Sequence, residues 1–314
     1  MADRRIESLV GKRVLVTGGA GFIGSNLVDL LYKQNNVTVL DNLSSGSLDN
    51  LAKSKDRITF IEGDILNKKL VDQLVAKTEI IFHLAANVGN VKSIENPSFD
   101  MDVNIRGTLN LLEASTQSKV ERFVYSASSA IFGDAKYLPM DENHPITPES
   151  PYAVSKLAAE KYCFAFNKVH GIPTTAVRYF NVYGPRQDSS GYSNVVPIFL
   201  RRIKEGKPIV VFGDGEQTRD FVFVGDVAAA NILAATVPGA IGESFNIGTG
   251  IVHTINSLIK IINRVIGGGT EIEYAPARLG EVRHSQANID KAKNILGYSP
   301  TIDLTEGLRQ SWNS

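Results

Sequence analysis

The segment Val16-Thr17-Gly18-Gly19-Ala20-Gly21-Phe22-Ile23-Gly24 does most to limit the folds open to this chain. It follows a short β-branched run, Arg13 to Thr17, and opens an amphipathic stretch from Phe22 to Tyr32, so it reads as strand, tight turn and helix. Glycines at 18, 21 and 24 meet three needs of such a junction. They permit a sharp turn, let main-chain N–H groups approach a bound anion, and allow helix and strand to touch without an intervening Cβ. The positive end of the helix favours a negative group at the same place. With 27 glycines in 314 residues, chance supplies such a trio in about 0.2 places per chain. The glycines therefore gain their meaning from what surrounds them.

Short apolar runs recur at Val37 to Asp41, Ile58 to Glu62, Ile80 to Leu84, Phe123 to Ser126 and Thr174 to Arg178, with helical patterns between them. The clearest later helices are Asn104 to Ser115 and Pro151 to Val169, the second opening on a first-turn Pro and closing near Gly171 and Pro173. This alternation predicts an α/β fold with a doubly wound parallel sheet. After Arg178 the texture changes to irregular stretches, Gly184 to Ser193 and Gly213 to Asp220, which carry Arg186 and Arg219. Helices around Ile255 to Ile266 and Thr305 to Trp312 belong to a smaller C-terminal lobe. The expected division is residues 1–178 as a dinucleotide-binding domain and residues 179–314 mainly as a substrate-binding lobe, with some segments returning to the first domain.

Asp41 ends the second run 23 residues after Gly18, close to the ~20 expected for a carboxylate that bonds adenosine ribose hydroxyls. A carboxylate there repels a 2′-phosphate, so the expected cofactor is NAD rather than NADP, with Asn42 beside it.

Lys plus Arg and Asp plus Glu both number 33, so no field draws polyanions across the surface, and nucleic acid is not an expected partner. The 43% apolar content supports a sizeable core. A single cysteine, Cys163, has no internal disulfide partner and falls in the apolar helical set Ala159, Tyr162, Cys163 and Phe166, a packing position. Met1 to Lys12 is followed by an apolar run too short for a signal-peptide core, and no stretch reaches the ~18 apolar residues of a membrane span. A cytoplasmic protein with no membrane association is expected. No His or Cys cluster has metal-ligand spacing, so no metal is expected.

Tyr152 and Lys156 lie four apart near a helix start and share one face. Upstream, Ser126-Ala127-Ser128-Ser129-Ala130 would deliver hydroxyls to the carboxyl edge of the sheet, where ligands bind in such folds. A cation beside a phenol favours phenolate, lowering its pKa from about 10, and a nearby hydroxyl can hold or relay the proton. Ser128, Tyr152 and Lys156 are thus candidates for moving a proton to or from an alcohol.

The glycine turn, Gly63-Asp64-Ile65, His83-Leu84-Ala85-Ala86, Asn104, the Ser motif ending at Phe132-Gly133-Asp134, and Tyr152-Ala-Val-Ser-Lys156 together resemble the extended short-chain dehydrogenase/reductase family, over nearly the full length. Downstream, Arg178 to Arg186, Gly213-Asp214-Gly215 to Arg219-Asp220, and Arg278 with Arg283 resemble its nucleotide-sugar epimerases. The resemblance implies a Rossmann-type sheet with a smaller substrate lobe. It also implies reversible inversion at C4 of a UDP-hexose through a 4-keto intermediate, using tightly bound NAD. Gly18, Gly21, Phe22, Ile23, Gly24, Asp41 and Asn42 would hold the cofactor. Asp64 and Ile65 would flank its adenine, Ala85 and Asn104 would line its channel, and Tyr179 would sit near the nicotinamide, with Tyr152 and Lys156. Asn181, Arg219 and Arg278 would hold the UDP diphosphate, with Asn194 and Glu281 around the diphosphate and uridine ribose. Two guanidinium forks and an amide suit such a diphosphate.

Related 4,6-dehydratases carry an Asp-Glu pair where this chain has Ser129-Ala130, and UDP-glucuronate decarboxylases place a Glu there, which argues against both reactions. A UDP-glucuronate 4-epimerase needs no extra acid and stays open. Phe132 stands where the family commonly has Tyr, a packing change. Ser285, seven residues beyond Arg278, occupies a position that in related epimerases borders the sugar's C2 substituent. Its small size implies that UDP-N-acetylglucosamine is accepted beside UDP-glucose. The family's dimer mode would pair the Asn104 to Ser115 and Pro151 to Val169 helices in a homodimer, with Leu109, Leu112 and Phe166 either at the contact or in the core. A reading of another class is a non-catalytic NAD-sensing binding module, against which stands the intact Ser128, Tyr152 and Lys156 set.

Overall fold

The computed structural model describes residues 9–187, 194–277 and 282–314. Six strands form at the six apolar runs: β1 (Arg13–Thr17), β2 (Asn36–Asp41), β3 (Thr59–Glu62), β4 (Ile80–His83), β5 (Arg122–Ser128) and β6 (Thr174–Tyr179). Every neighbouring pair is parallel, with Val14 opposite both Val37 of β2 and Ile80 of β4. The chain passes from β1 outward to β2 and β3, then returns to place β4 on the other side of β1. That reversal opens a crevice beyond the carboxyl ends of β1 and β4, where ligands of doubly wound sheets bind.

Side chains alternate across the sheet with the two-residue period of a strand. Val14, Val16, Val39 and Phe82 enter one apolar cluster, while Leu15, Leu40, Ile81 and Phe123 enter a second on the opposite face. Both faces therefore need helical cover. Helix α1 (Phe22–Leu31) covers the first with Leu27, Val28 and Leu31, all buried. Each such side chain contributes roughly 1.5–3 kcal/mol on leaving water. Helix α2 (Lys68–Val75) covers the second face, capped by the Asn67 side chain.

The expected helix from Asn104 begins earlier than its apolar period suggests. After α3 (Asn90–Glu95), Asn96 caps α4 (Pro97–Met101), and a π-helical turn over Asp102–Arg106 leads into α5 (Gly107–Thr116). Leu112 is core, in contact with the second face, whereas Leu109 and Phe166 are half-buried. Helix α6 (Pro151–His170) matches its sequence signals: Ser150 caps it by accepting from the Ala153 N–H, and Gly171 ends it at φ +70°. Cys163 is buried on this helix, as a packing residue would be, and burial pushes its thiol up.

Beyond residue 179, short strands pair in twos: β7 (Asn181–Tyr183) leads to α7 (Val195–Lys204), β8 (Ile209–Phe212) and β9 (Thr218–Arg219), and β10 (Phe221–Phe223) pairs with β7. Helix α8 (Val224–Thr236) then packs against α1, and β11 (Ser244–Ile247) joins the main sheet beside β6, making seven strands. Strand β12 (His253–Thr254) pairs with β9, followed by α9 (Ile255–Ile266); β13 (Ile272–Ala275) pairs with β8, and α10 (Leu304–Trp312) follows. The first apolar cluster runs unbroken from Leu9 through α8 to Leu308, so the lobe and the sheet share one core. Among the described residues no helix is long and apolar enough to cross a membrane.

Candidate active site

The crevice at the carboxyl edge holds a cleft of about 900 Å³. Its floor is the turn after β1. Gly18 takes φ +70°, and a Cβ there would meet the Ala85 main-chain nitrogen at 2.6 Å; a Cβ on Gly24 would lie 2.1 Å from the Gly18 carbonyl oxygen. Gly21 differs, since its Cβ would meet only the Gly18 oxygen, at 3.2 Å. Helix α1 starts at Gly21 with no side-chain cap, so its first-turn N–H groups lack a partner on their own element. Gly21, Phe22 and Ile23 line the cleft, and this uncapped helix end suits a pyrophosphate. At the end of β2, Asp41 accepts from the Ala20 N–H at 2.9 Å and the Leu43 N–H at 2.8 Å, and each oxygen keeps a lone pair for a ribose hydroxyl. Asn42 donates to Asp64 Oδ2 at 2.8 Å, and Ile65 follows on the same wall. These residues fit a dinucleotide without a 2′-phosphate.

Ser128, Tyr152 and Lys156 meet in the same cleft. The strand β5 ends at Ser128, whose hydroxyl accepts from the Ala130 N–H and acts on the Tyr152 phenol across the same cleft wall. The expected lowering of the phenol's pKa by Lys156 is corrected here. Burial dominates both groups, pushing Tyr152 up to about 12, against the opposing influence of the Ser128 hydroxyl, and Lys156 down to about 8. Desolvation is the largest cause for both, with Lys156 buried and Tyr152 half-buried in the cleft wall. Lys156 Nζ sits 4.5 Å from the Tyr125 ring centre, a cation–π contact that supports the ammonium in this apolar setting. Tyr179 lines the cleft with its hydroxyl donating to Asn231 at 2.8 Å and is likewise pushed up by burial.

Asn104, expected to line the cofactor channel, stands behind the wall instead. It is 1% exposed, and its amide pairs with the main chain of Asn87, accepting from the N–H at 2.9 Å and donating to the carbonyl at 3.1 Å. Asn87 lines the cleft, so Asn104 braces the lining. The π turn that carries Asn104 rotates it inward, which helical periodicity alone does not reveal.

On the lobe side, Asn181, Asn194, Arg219 and Ser285 all line the cleft. Asn181 is fixed by its N–H to Asp220 O at 3.1 Å, and Ser285 by its N–H to Thr218 O at 3.1 Å. Arg219 donates to Thr218 O at 2.9 Å and Arg283 O at 3.3 Å. Asn194 starts α7 without capping it; its side chain donates to Val182 O at 3.4 Å. Arg278 and Glu281 lie outside the described residues.

The sequence reading left three participants unassigned. Arg186 adopts φ +70° and spans from the lobe to α1, donating to Asn26 Oδ1 at 2.9 Å, Asp29 Oδ2 at 2.7 Å and Asn50 O at 2.7 Å. Asp100 and Ser155 form a buried bond behind Tyr152. Only the i,i+4 spacing of Asp100 and Asn104, and Ser155's position between Tyr152 and Lys156, signalled the latter pair.

The family described as NAD dependent epimerase/dehydratase matches residues 14–248. A putative UDP-glucose 4-epimerase of Methanocaldococcus jannaschii is 43% identical over 303 residues, covering 96% of this chain and 97% of that protein. Among solved structures, UDP-N-acetylglucosamine 4-epimerase from Methanobrevibacter ruminantium in complex with UDP-N-acetylmuramic acid is 36% identical, with a TM-score of 0.93 and coverage of 97% and 98%. UDP-glucose 4-epimerase from Thermotoga maritima with UDP-glucose is 40% identical, with a TM-score of 0.91 and coverage of 96% and 97%. With that match spanning the glycine turn, the Ser128, Tyr152 and Lys156 cluster and the last sheet strand, the chain belongs to the NAD-dependent epimerase/dehydratase family.

Proposed function

We propose that the protein is a UDP-sugar 4-epimerase that inverts C4 of a UDP-hexose reversibly through a 4-keto sugar, accepting UDP-N-acetylglucosamine beside UDP-glucose. The observation that carries this reading is the convergence of Ser128, Tyr152 and Lys156 in one cleft with the glycine turn. Gly18, Gly21 to Gly24, Asp41, Asn42, Asp64, Ile65 and Ala85 are the residues to hold NAD, which when bound supplies the acceptor and donor of the C4 hydride. Tyr152, as phenolate after its own proton has left to solvent in the cleft, takes the 4-hydroxyl proton as the ketone forms and returns it when the hydroxyl is rebuilt on the other face. The phenol, held protonated by burial, gives up its proton only against positive charge, and Lys156 supplies one while it stays protonated, below about pH 8. Ser128 holds the reacting hydroxyl beside the phenol.

Asn181, Asn194 and Arg219, with Arg278, suit the diphosphate, whose anchoring lets the hexose turn over between the two half-reactions. Ser129 and Ala130, next to Ser128 on the wall, bring no acid for an elimination. Ser285, a small side chain on the sugar side, supports acceptance of an acetylated C2, and the resemblance to the Methanobrevibacter UDP-N-acetylglucosamine 4-epimerase supports the same choice. Exposed Met101, Val154 and Tyr162, on α4 and α6, suit the face of a homodimer.

The test is incubation with UDP-galactose and, separately, UDP-N-acetylgalactosamine without added reductant. UDP-glucose and UDP-N-acetylglucosamine appear with no net NADH, and each pair reaches the same ratio from either side. No conversion by folded, NAD-loaded protein overturns the reading and directs the search to UDP-glucuronate.

A further inference from the structure

Asp100 is fully buried, yet the hydrogen bonds that satisfy it come from neutral side chains. Its Oδ1 accepts from Asn87 Nδ2 at 3.0 Å and Asn104 Nδ2 at 3.1 Å, and its Oδ2 accepts from the Ser155 hydroxyl at 2.5 Å. A buried carboxylate with no bonded cation among the described residues is costly, so a compact set of donors at this depth marks a built site. The three donors belong to three different segments around the cleft, of which Asn87 lines it. Asn87 lies on the wall after β4, Asn104 sits in the π turn, and Ser155 stands on α6 between Tyr152 and Lys156. Asn104 also donates to Ser155 at 3.0 Å, closing the set.

We propose that Asp100, with Ser155 as its link, is a positioning residue that fixes the first turn of α6, and with it Tyr152 and Lys156, against the Asn87 wall of the cleft. The proposal rests on the epimerase reading for its kinetic consequence alone. The geometry gives its reason: the Ser155 side chain ties the catalytic turn to the buried Asp100 carboxylate, while Ser150 bonds Asn90 at 3.0 Å at the cap and Tyr125 donates to the Lys156 carbonyl at 3.4 Å. The same carboxylate acts electrostatically on both partners. It favours the proton on Lys156, together with Glu160, and on Tyr152, where the Ser128 hydroxyl opposes it. Burial, which favours neutral lysine, is thereby partly offset.

Ser155→Ala cuts the tie and keeps the charge; Asp100→Asn removes the charge. Both are expected to lower kcat on the order of tenfold or more with the UDP-sugar KM within about threefold. Bound NAD is retained, and amide hydrogen exchange over residues 151–157 speeds by on the order of tenfold. Ser155→Thr, which keeps the hydroxyl, restores both readouts. Asp100→Asn alone moves the kcat–pH profile to lower pH, because loss of the anion lowers the pKa of both Tyr152 and Lys156. Unchanged exchange and kcat in Ser155→Ala overturn the proposal, as does an Asp100→Asn profile that falls in height without moving. Should Asp100→Asn fail to fold, the Ser155 pair decides: loss with Ala and recovery with Thr supports it, and equal behaviour overturns it. A wild type inactive on every UDP-sugar defeats the epimerase reading, and hydrogen exchange still decides the tie.

Discussion

Gly18 and Ala85 touch backbone to backbone, so that a Cβ on Gly18 would lie 2.6 Å from the Ala85 nitrogen. The contact joins the turns after β1 and β4, the two strands between which the chain reverses direction across the sheet. The Ala85 N–H also reaches Thr17 Oγ1 at 3.3 Å. The cleft floor is thus closed by main chain on both sides, which leaves a bound diphosphate facing N–H groups instead of side chains.

Gly18→Ala is therefore expected to fail twice. The residue sits at φ +70°, a region that costs an L side chain roughly 1–2 kcal/mol. Forcing the two turns apart adds about 1–3 kcal/mol. Thermal unfolding registers the loss of stability, and absorbance after denaturation registers loss of co-purifying NAD. A variant that keeps its NAD and its midpoint would show that the turn has room to spare.

Tyr152→Phe removes the proton-carrying oxygen and little else. Turnover of UDP-glucose is expected to fall on the order of 10²-fold or more with NAD still bound. A non-catalytic NAD sensor would be indifferent, so turnover and cofactor content measured on one preparation separate the two readings.

Six of the seven sheet strands were legible because β-branched runs are punctuated by Gly, Pro and acidic turns, and α6 because Ser150, Pro151 and Gly171 mark its ends. Strand β11 was not, since Ser244–Ile247 is four residues long and its place is set by pairing with β6, over sixty residues away. The π turn is invisible to an apolar period, and the family resemblance placed Asn104 in the lining, where the structure makes it a support. Residue types identified Tyr152 and Lys156, but their protonation depends on depth, and burial reversed the expected direction for the phenol. Asp100 belongs to no motif of its own, because its donors Asn87, Asn104 and Ser155 come from three separate segments.

His83 links β1 to the helix after the π turn, with Nδ1 2.7 Å from Thr17 Oγ1 and Nε2 2.9 Å from Thr108 Oγ1. Burial, with a lesser push from Lys156, lowers its pKa to about 3. Between about pH 6.5 and 3 the unfolded chain binds a proton there that the folded chain does not, so stability falls as pH falls through that window. The expected loss is a few kcal/mol by about pH 4. Denaturant titrations of wild type and His83→Asn measure it: the variant, less stable at neutral pH, loses less across the window. Parallel pH curves for the two proteins would remove His83 as the source.

Ser285 tests substrate choice by size alone. Its main chain is held by Thr218, the residue is 9% exposed, and it borders the lobe side of the cleft. Ser285→Tyr places a ring where an acetylated C2 substituent is expected. Turnover of UDP-N-acetylglucosamine should fall by on the order of 10²-fold, since overfilling a packed wall costs about 1–3 kcal/mol and displaces the sugar from the reacting groups. UDP-glucose, with only a hydroxyl at C2, should keep kcat/KM within about threefold. The comparison is internal to one variant, so a general loss of folding lowers both rates together and cannot imitate it. Equal loss on both sugars, with the fold and bound NAD intact, would defeat the assignment of Ser285 to the C2 side and leave the epimerase chemistry of Tyr152 untouched.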